Sequence, residues 1–233
     1  MKVDYHIIDE LKKESLVTLG FSTGKDSLAC ALILQELNIK FIPFFFYHIP
    51  ELEFVERNIK MYEDKLGIEV VRLPHPMLYD YIRHQDFQDP KMINYMASYE
   101  FPHLSFEELI AYYLDNEGIE PDLYDVVGMR AAESFNRRKV FEKFTIKGID
   151  KKKLKIYPIW NWKTDDVKGY IESKGVKLTP DYNIWRRSFD GLKYQFLYGV
   201  KKNYPLDWQK IKEYFPLIEI ELYRYEQNRK HLG

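Results

Sequence analysis

Ser22-Thr23-Gly24-Lys25-Asp26-Ser27 stands between a short β-rich run, Leu16-Val17-Thr18-Leu19-Gly20-Phe21, and a segment from Leu28 to Leu37 that is apolar almost all round. The first run reads as a buried strand and the second as a helix buried on several sides. A strand, a tight polar loop and a buried helix, in that order, aim backbone N–H groups and the positive end of a helix dipole at one anion. Gly24 allows the backbone to approach closely, Ser22 and Ser27 bring hydroxyls, and Lys25 brings a positive charge. The loop has the chemistry of a phosphate cradle. The plainer alternative is a polar strand-to-helix turn.

Two common phosphate loops do not fit. A mononucleotide P-loop needs a glycine, four residues, then Gly-Lys-Ser/Thr; here Gly20 and Gly24 are too close and Asp26 separates Lys25 from Ser27. The three spaced glycines of a dinucleotide fingerprint are absent.

Working outward, Met1 to Glu14 reads as a short lead-in helix and Phe41 to Tyr47 as a second buried strand. Leu52, Val55, Ile59, Tyr62 and Leu66 recur at three- and four-residue steps, an amphipathic helix ended by Gly67. Ile68 to Leu73 reads as a third strand, closed by Pro74-His75-Pro76, with His75 a turn residue. Alternating strands and helices predict right-handed crossovers and a parallel sheet. Residues Met77 to Gly118 break this rhythm and read as a helical insertion over the sheet's carboxyl edge, with Ser105 and Glu108 as a capping box. Such an insertion either shapes an acceptor site or is a structural lid. Leu123 to Met129 reads as the fourth strand, and Thr145 to Ile159 as a hairpin ending in the fifth. Thr164 reads as the cap of a helix bearing Asp165, Asp166, Val167, Tyr170 and Ile171. Residues 185–233 form an aromatic and basic helical tail, interrupted at Pro216.

With 233 residues and 45% apolar content, a single domain with one large core is expected. A net charge of −1 gives no global case for nucleic acid or membrane. The one cysteine, Cys30, excludes a disulfide framework or a multi-cysteine metal site and suits a reducing, cytoplasmic setting. No signal-peptide core appears at the start, and Phe41 to Tyr47 is too short to span a bilayer. The six histidines show no helical ligand spacing, so zinc is not expected, and one cysteine cannot supply the four thiolates of an iron–sulfur cluster.

Ligands of an open parallel sheet bind beyond the carboxyl ends of its strands. The fourth strand delivers Gly128-Met129-Arg130-Ala131-Ala132-Glu133-Ser134-Phe135-Asn136-Arg137-Arg138 to that edge. Arg130, Arg137 and Arg138 can neutralise a polyphosphate, and Glu133 can orient an arginine. Read alone, the segment is equally a solvated helix start with surface arginines.

The loop resembles the PP-loop Ser-Gly-Gly-x-Asp-Ser of the adenine-nucleotide α-hydrolases, with Thr23 in place of the second-position glycine. Gly128 to Ser134 with Arg137 resembles the Gly-x-Arg-x-x-Glu-Ser-x-x-Arg segment of phosphoadenylylsulfate (PAPS) reductase-like proteins. Tyr157-Pro158-Ile159-Trp160 and Trp162 to Val167 are similar to that family's Pro-Ile and Trp-Thr-x-x-Asp-Val stretch, so the likeness runs from about residue 15 to 185. It implies an α/β fold of the HUP type: an open parallel five-stranded sheet with flanking helices, a helical insertion and a helical tail.

The resemblance implies that Ser22 to Ser27 hold nucleotide phosphates, with Phe21, Tyr47, Gly128, Arg130, Glu133, Arg137 and Arg138 completing the adenine-nucleotide site. The expected activity is cleavage of ATP between the α and β phosphates, with AMP passed to an acceptor and pyrophosphate released. Lys25, Asp26 and Arg130 are the expected catalytic residues, and Asp26 also the ligand of a Mg²⁺ ion; its plainer reading is a helix N-cap. The acceptor is a small molecule or a nucleic-acid base, the latter on the alternating aromatic and basic residues from Trp185 to Tyr204, which otherwise read as a core edge. A homo-oligomer is compatible with the sequence. PAPS or adenylylsulfate reduction needs a nucleophilic cysteine near the C-terminus, and no cysteine follows Cys30, which reads as a core residue. A non-catalytic ATP-binding sensor is the other alternative, favoured by Thr23.

Overall fold

Val17, Leu19 and Phe21 are fully buried, and the strand they define, β1 (Val17–Gly20), lies in the middle of a six-stranded sheet. The computed structural model describes residues 2–92, 99 and 102–231. The other strands are β2 (Phe41–Tyr47), β3 (Val71–Pro74), β4 (Asp125–Val126), β5 (Ile149–Asp150) and β6 (Lys155–Ile156). Their order across the sheet is β3-β2-β1-β4-β6-β5. β1 pairs in parallel with β2 and β4, β4 in parallel with β6, and β5 runs antiparallel to β6. The expected hairpin thus contributes both of its arms, giving six strands rather than five.

The chain falls into two compact units. The first comprises Met1–Phe45, Met61–Val71 and Tyr113–Thr179, and the second Phe46–Lys60, Arg72–Tyr112 and Pro180–Gly233.

In the first unit, α1 (Tyr5–Leu11) precedes β1, and α2 (Lys25–Glu36) follows the polar loop. Every residue from Ser27 to Leu34 is buried, as expected of a helix apolar on all sides. Truncating one of these side chains, Ile33→Ala for example, costs about 2–5 kcal/mol. Helix α3 (Glu53–Leu66) ends at Gly67, whose φ of +63° is the left-handed C-cap conformation that suits glycine. The next strand starts at Val71 rather than Ile68, because the Val70 amide donates to Glu63 Oε1 at 2.9 Å instead of to the sheet. Helix α4 (Pro76–His84) and the Phe106–Tyr112 part of α5 (Phe106–Asn116) belong to the second unit and to the expected insertion, of which residues 93–98, 100 and 101 lie outside the described residues. The Ser105–Glu108 capping box is formed: each backbone amide donates to the other's side chain, at 2.7 and 3.2 Å. A 3₁₀ turn (Ala131–Glu133), α6 (Phe135–Glu142) and α7 (Thr164–Ser173) complete the first unit.

The second unit ends in α8 (Tyr182–Trp185), α9 (Tyr194–Asn203), α10 (Pro205–Tyr214) and α11 (Glu219–His231). The break between α10 and α11 falls at Pro216, where the ring cannot supply a helical N–H. Phe54, Trp185, Phe189, Phe196 and Tyr204 pack together, with Phe54 and Tyr204 stacked at 4.6 Å. Four rings of the 185–204 run, Trp185, Phe189, Phe196 and Tyr204, therefore build a core, while Tyr198 and the run's cations face water. Buried Asp207 receives the amides of Glu53 and Phe54 at 2.6 and 3.2 Å, capping the start of α3.

Candidate functional site

Gly24 is the N-cap of α2, and no side chain caps the helix there. Asp26 sits one residue inside the helix, so it is not the N-cap that its place beside Ser27 allowed. Ser27 is buried; its hydroxyl donates to the Gly24 carbonyl at 3.0 Å and lies 3.4 Å from the Ser22 hydroxyl. Thr23 is buried with φ +58°, a left-handed conformation that is an outlier for a β-branched residue and costs about 1–2 kcal/mol. The loop thus holds threonine in the backbone shape that glycine adopts freely.

The Gly128–Arg138 segment meets this turn. A methyl group on Gly128 would lie 2.8 Å from the Asp26 carbonyl carbon, so glycine is what lets the chain after β4 press against the first turn of α2. Two residues on, Arg130 is buried, its side chain 4% exposed. Its Nε donates to Asp26 Oδ1 at 2.7 Å, one Nη donates to the Thr164 hydroxyl at 3.4 Å, and the other lies 3.6 Å from Glu133 Oε1. A buried guanidinium is tolerated only when paired in this way. Lys25 Nζ reaches the second Asp26 oxygen at 2.5 Å. Glu133 accepts from the Arg130 amide at 3.1 Å and pairs with Arg137 one turn into α6. Lys25, Asp26, Arg130, Glu133 and Arg137 therefore form one alternating chain of charges beside the loop. Three cations face two carboxylates, so an incoming phosphate can take over positions that Asp26 holds.

Other residues fall elsewhere. The Phe21 side chain is in the core, edge-on to Tyr62 with ring centres 5.8 Å apart, and its amide is taken by the Phe44 carbonyl. Its side chain packs in the core. Arg138 is exposed on α6. Tyr47 belongs to the second unit, where it ends β2 and its carbonyl accepts from the His75 amide at 2.9 Å. Thr164 does not cap α7: Lys163 is the N-cap, with its amide donating to Asp166 Oδ2 at 2.7 Å. The Thr164 hydroxyl serves Arg130 instead, a role that nothing in its local sequence signals.

Sequence reading also missed a pairing in the second unit. His48 and His75, each directly after a strand, stack with ring centres 4.0 Å apart. His75 is not a simple turn residue: its Nδ1 caps α4, accepting from the Met77 amide at 3.1 Å. His48 is buried, its Nδ1 has no partner among the described residues, and Gly191 lies directly against the ring. Desolvation, then the neighbouring imidazole, lowers the His48 pKa to about 3. The usable clue was positional, two histidines closing neighbouring strands.

Cys30 is fully buried in α2. Desolvation, aided by the Asp26 charge, pushes its thiol far above the usual range, away from the thiolate that attacks sulfur. No cluster of three or more His, Cys, Asp or Glu side chains converges among the described residues. Mg²⁺ in nucleotide sites needs only one or two carboxylates, its other ligands being phosphate oxygens and water. The Asp26 carboxylate fits that demand: each oxygen accepts one cationic donor and keeps a second lone pair. Among the described residues no helix is long and apolar enough to cross a membrane.

The profile of the phosphoadenosine phosphosulfate reductase domain matches residues 16–184. No curated protein matches the chain. Among solved structures, the phosphate complex of PAPS reductase from Candida auris is 13% identical, covering 81% of this chain and 99% of its own, with a TM-score of 0.45. The NH3-dependent NAD synthetase of Campylobacter jejuni, in complex with nitrate, is 12% identical over 94% of this chain and 91% of its own, at a TM-score of 0.45. A predicted subunit of tRNA methyltransferase from Methanocaldococcus jannaschii is 17% identical over 81% and 88%, at 0.35.

Proposed function

Because the chain belongs to the phosphoadenosine phosphosulfate reductase domain family, we propose that it is an enzyme that binds ATP at Ser22 to Ser27 and transfers AMP to an acceptor. The observation that carries this reading is the alternating chain Lys25–Asp26–Arg130–Glu133–Arg137, set against the uncapped start of α2. Asp26 holds Lys25 and Arg130 ready in the free chain, and triphosphate oxygens displace it from both. The acceptor nucleophile forms its bond to the α phosphorus as the bond from that phosphorus to the bridging oxygen breaks. The oxygen and its electron pair leave with pyrophosphate, and the acceptor's proton passes to solvent. Lys25 and Arg130 neutralise charge that grows on the leaving group, and loop amides orient the phosphates. Mg²⁺, held by Asp26 with phosphate oxygens, would supply further neutralisation of that charge.

Thiol-based sulfur reduction does not fit, since Cys30 is the chain's one cysteine and is buried and protonated. A second reading, ATP binding without turnover, draws on Thr23, whose side chain and left-handed backbone stand where the family loop has glycine. Incubation with α-labelled ATP, Mg²⁺ and candidate acceptors separates the two. Pyrophosphate and an AMP species are the expected products, and Asp26→Asn is expected to abolish them. ADP with orthophosphate as main products would refute α-phosphate chemistry, and tight binding without turnover would favour the sensor.

A further inference from the structure

The charge of the chain is nearly balanced, but its distribution is not. From Phe135 to Lys155 nine residues are Lys or Arg and two are acidic, in a chain of net charge −1. This segment is α6, the turn after it and the β5–β6 hairpin, all within the first unit. Among the described residues no carboxylate pairs with the side chains of Arg138, Lys139, Lys143, Lys152 or Lys153, and all five are exposed. A run of lysines alone is an ordinary solvated face. What distinguishes α6 is Phe135, 65% exposed, with the Lys139 ammonium 4.5 Å from its ring centre. The helix buries Phe141 and leaves this second phenylalanine in water. An exposed aromatic ring among cations that no carboxylate pairs is what a single-stranded nucleic acid uses: phosphates on the cations, a base on the ring's other face. A membrane surface fits less well, since a helix that lies in a bilayer needs a broad apolar face, and α6 exposes only Phe135 and Val140 beside its charges.

We infer that α6 docks a single-stranded nucleic acid, with its phosphates on Arg138, Lys139 and Lys143 and one base stacked on Phe135. Helix α6 begins five residues after Arg130, so a strand lying along it leads to the charge chain beside the loop. The nucleic acid is then the acceptor class, a conclusion that rests on the AMP-transfer reading; the docking itself does not. In the 185–204 run Trp185, Phe189, Phe196 and Tyr204 are packed together, and its exposed ring, Tyr198, stands beside Lys201, which already pairs with Glu219.

The test is fluorescence anisotropy of short labelled single-stranded RNA and DNA, without ATP, across a series of salt concentrations. Binding that weakens with salt is expected. The double variant Lys139→Gln, Lys143→Gln should lower the slope of log affinity against log salt by about 1.4, or about 0.7 per lost phosphate contact. Phe135→Ala should weaken binding about fivefold or more. Both variants should keep the wild-type melting temperature and its ATP-induced shift, which shows that the fold and the phosphate loop are intact. No oligonucleotide binding, or wild-type affinity and slope in both variants, would overturn the inference. Binding to phosphatidylserine vesicles without binding to oligonucleotides would also overturn it and assign α6 to a membrane surface. In each of these cases a retained ATP shift leaves the AMP-transfer reading standing, whereas oligonucleotide binding without any ATP response would sink that reading alone.

Discussion

Replacing Gly128 by alanine puts a methyl group where the backbone of α2 already lies. The added carbon would stand 2.8 Å from the Asp26 carbonyl carbon, 2.9 Å from its oxygen and 2.9 Å from the Ser27 nitrogen, where ordinary contact begins at 3.4 Å. All three neighbours are main-chain atoms, so no side chain can swing aside and the first turn of α2 must move by about 0.5 Å. Overpacking of this kind costs about 1–3 kcal/mol, which lowers Tm by about 3–9 °C at ~3 °C per kcal/mol for a chain of this length. The same movement draws Asp26 away from Arg130, so ATP affinity should fall along with stability. Gly20→Ala is the matched control: nothing lies within 4 Å of its added carbon, and a strand glycine replaced by alanine gains up to about 1 kcal/mol. Thermal and urea unfolding of both variants, with and without ATP, provides the measurement. A Gly128→Ala protein that melts with wild type and binds ATP normally would refute the close-packing argument and the site built on it.

Arg130→Ala should weaken ATP binding by about 1–3 kcal/mol, while Arg137→Ala, whose side chain is 44% exposed against 4% for Arg130, should cost less than about 1 kcal/mol; equal losses by titration calorimetry would contradict that ordering. Cys30→Ala should leave nucleotide turnover intact, and in the native wild-type chain the thiol should resist a thiol reagent until the protein unfolds; immediate labelling would show that the burial is wrong. His48 is neutral when folded, because its pKa of about 3 lies below the unfolded value near 6.5. The unfolded chain therefore takes up the proton first, and this contribution to stability is full above pH 6.5 and is lost as pH falls toward 3, at up to about 1.4 kcal/mol per pH unit. His48→Phe should flatten urea-derived stability across that window, and an unchanged profile would remove His48 as the cause.

Some of this was written plainly in the sequence. Phe41 to Tyr47 and the all-round apolar Leu28 to Leu34 have no competing pattern, and the structure forms a strand and a buried helix on them. The strand-to-helix turn at Ser22 to Ser27 was legible because its small and polar residue types interrupt two apolar runs, and the structure forms β1 and α2 on either side of it. Other features depend on partners far along the chain. Leu123 to Met129 reads as a seven-residue strand, but only Asp125 and Val126 are assigned to it: Leu123 donates back to Pro121, and at the other end Gly128 has left the strand to meet α2. Periodicity likewise could not say which side of the 185–204 run faces inward. Trp185 and Tyr204 pack on Phe54, which lies far earlier in the chain. The service of Thr164 to Arg130 and the histidine stack are tertiary facts of the same kind.

Asp26 and Arg130 are 104 residues apart, and β1 meets β4 through Thr18 and Asp125 at a separation of 107. Translation at about 5–20 residues per second therefore leaves the phosphate loop without its arginine for about 5–20 s. Pairings this distant close late, after helices and local turns have formed. Each newly made chain thus passes through a period when Asp26 and Lys25 have only one another. On the AMP-transfer reading, competence to grip a triphosphate arrives when β4 docks on β1, and ATP capture during refolding is then expected to time that docking event and not the earlier collapse of the amino-terminal half.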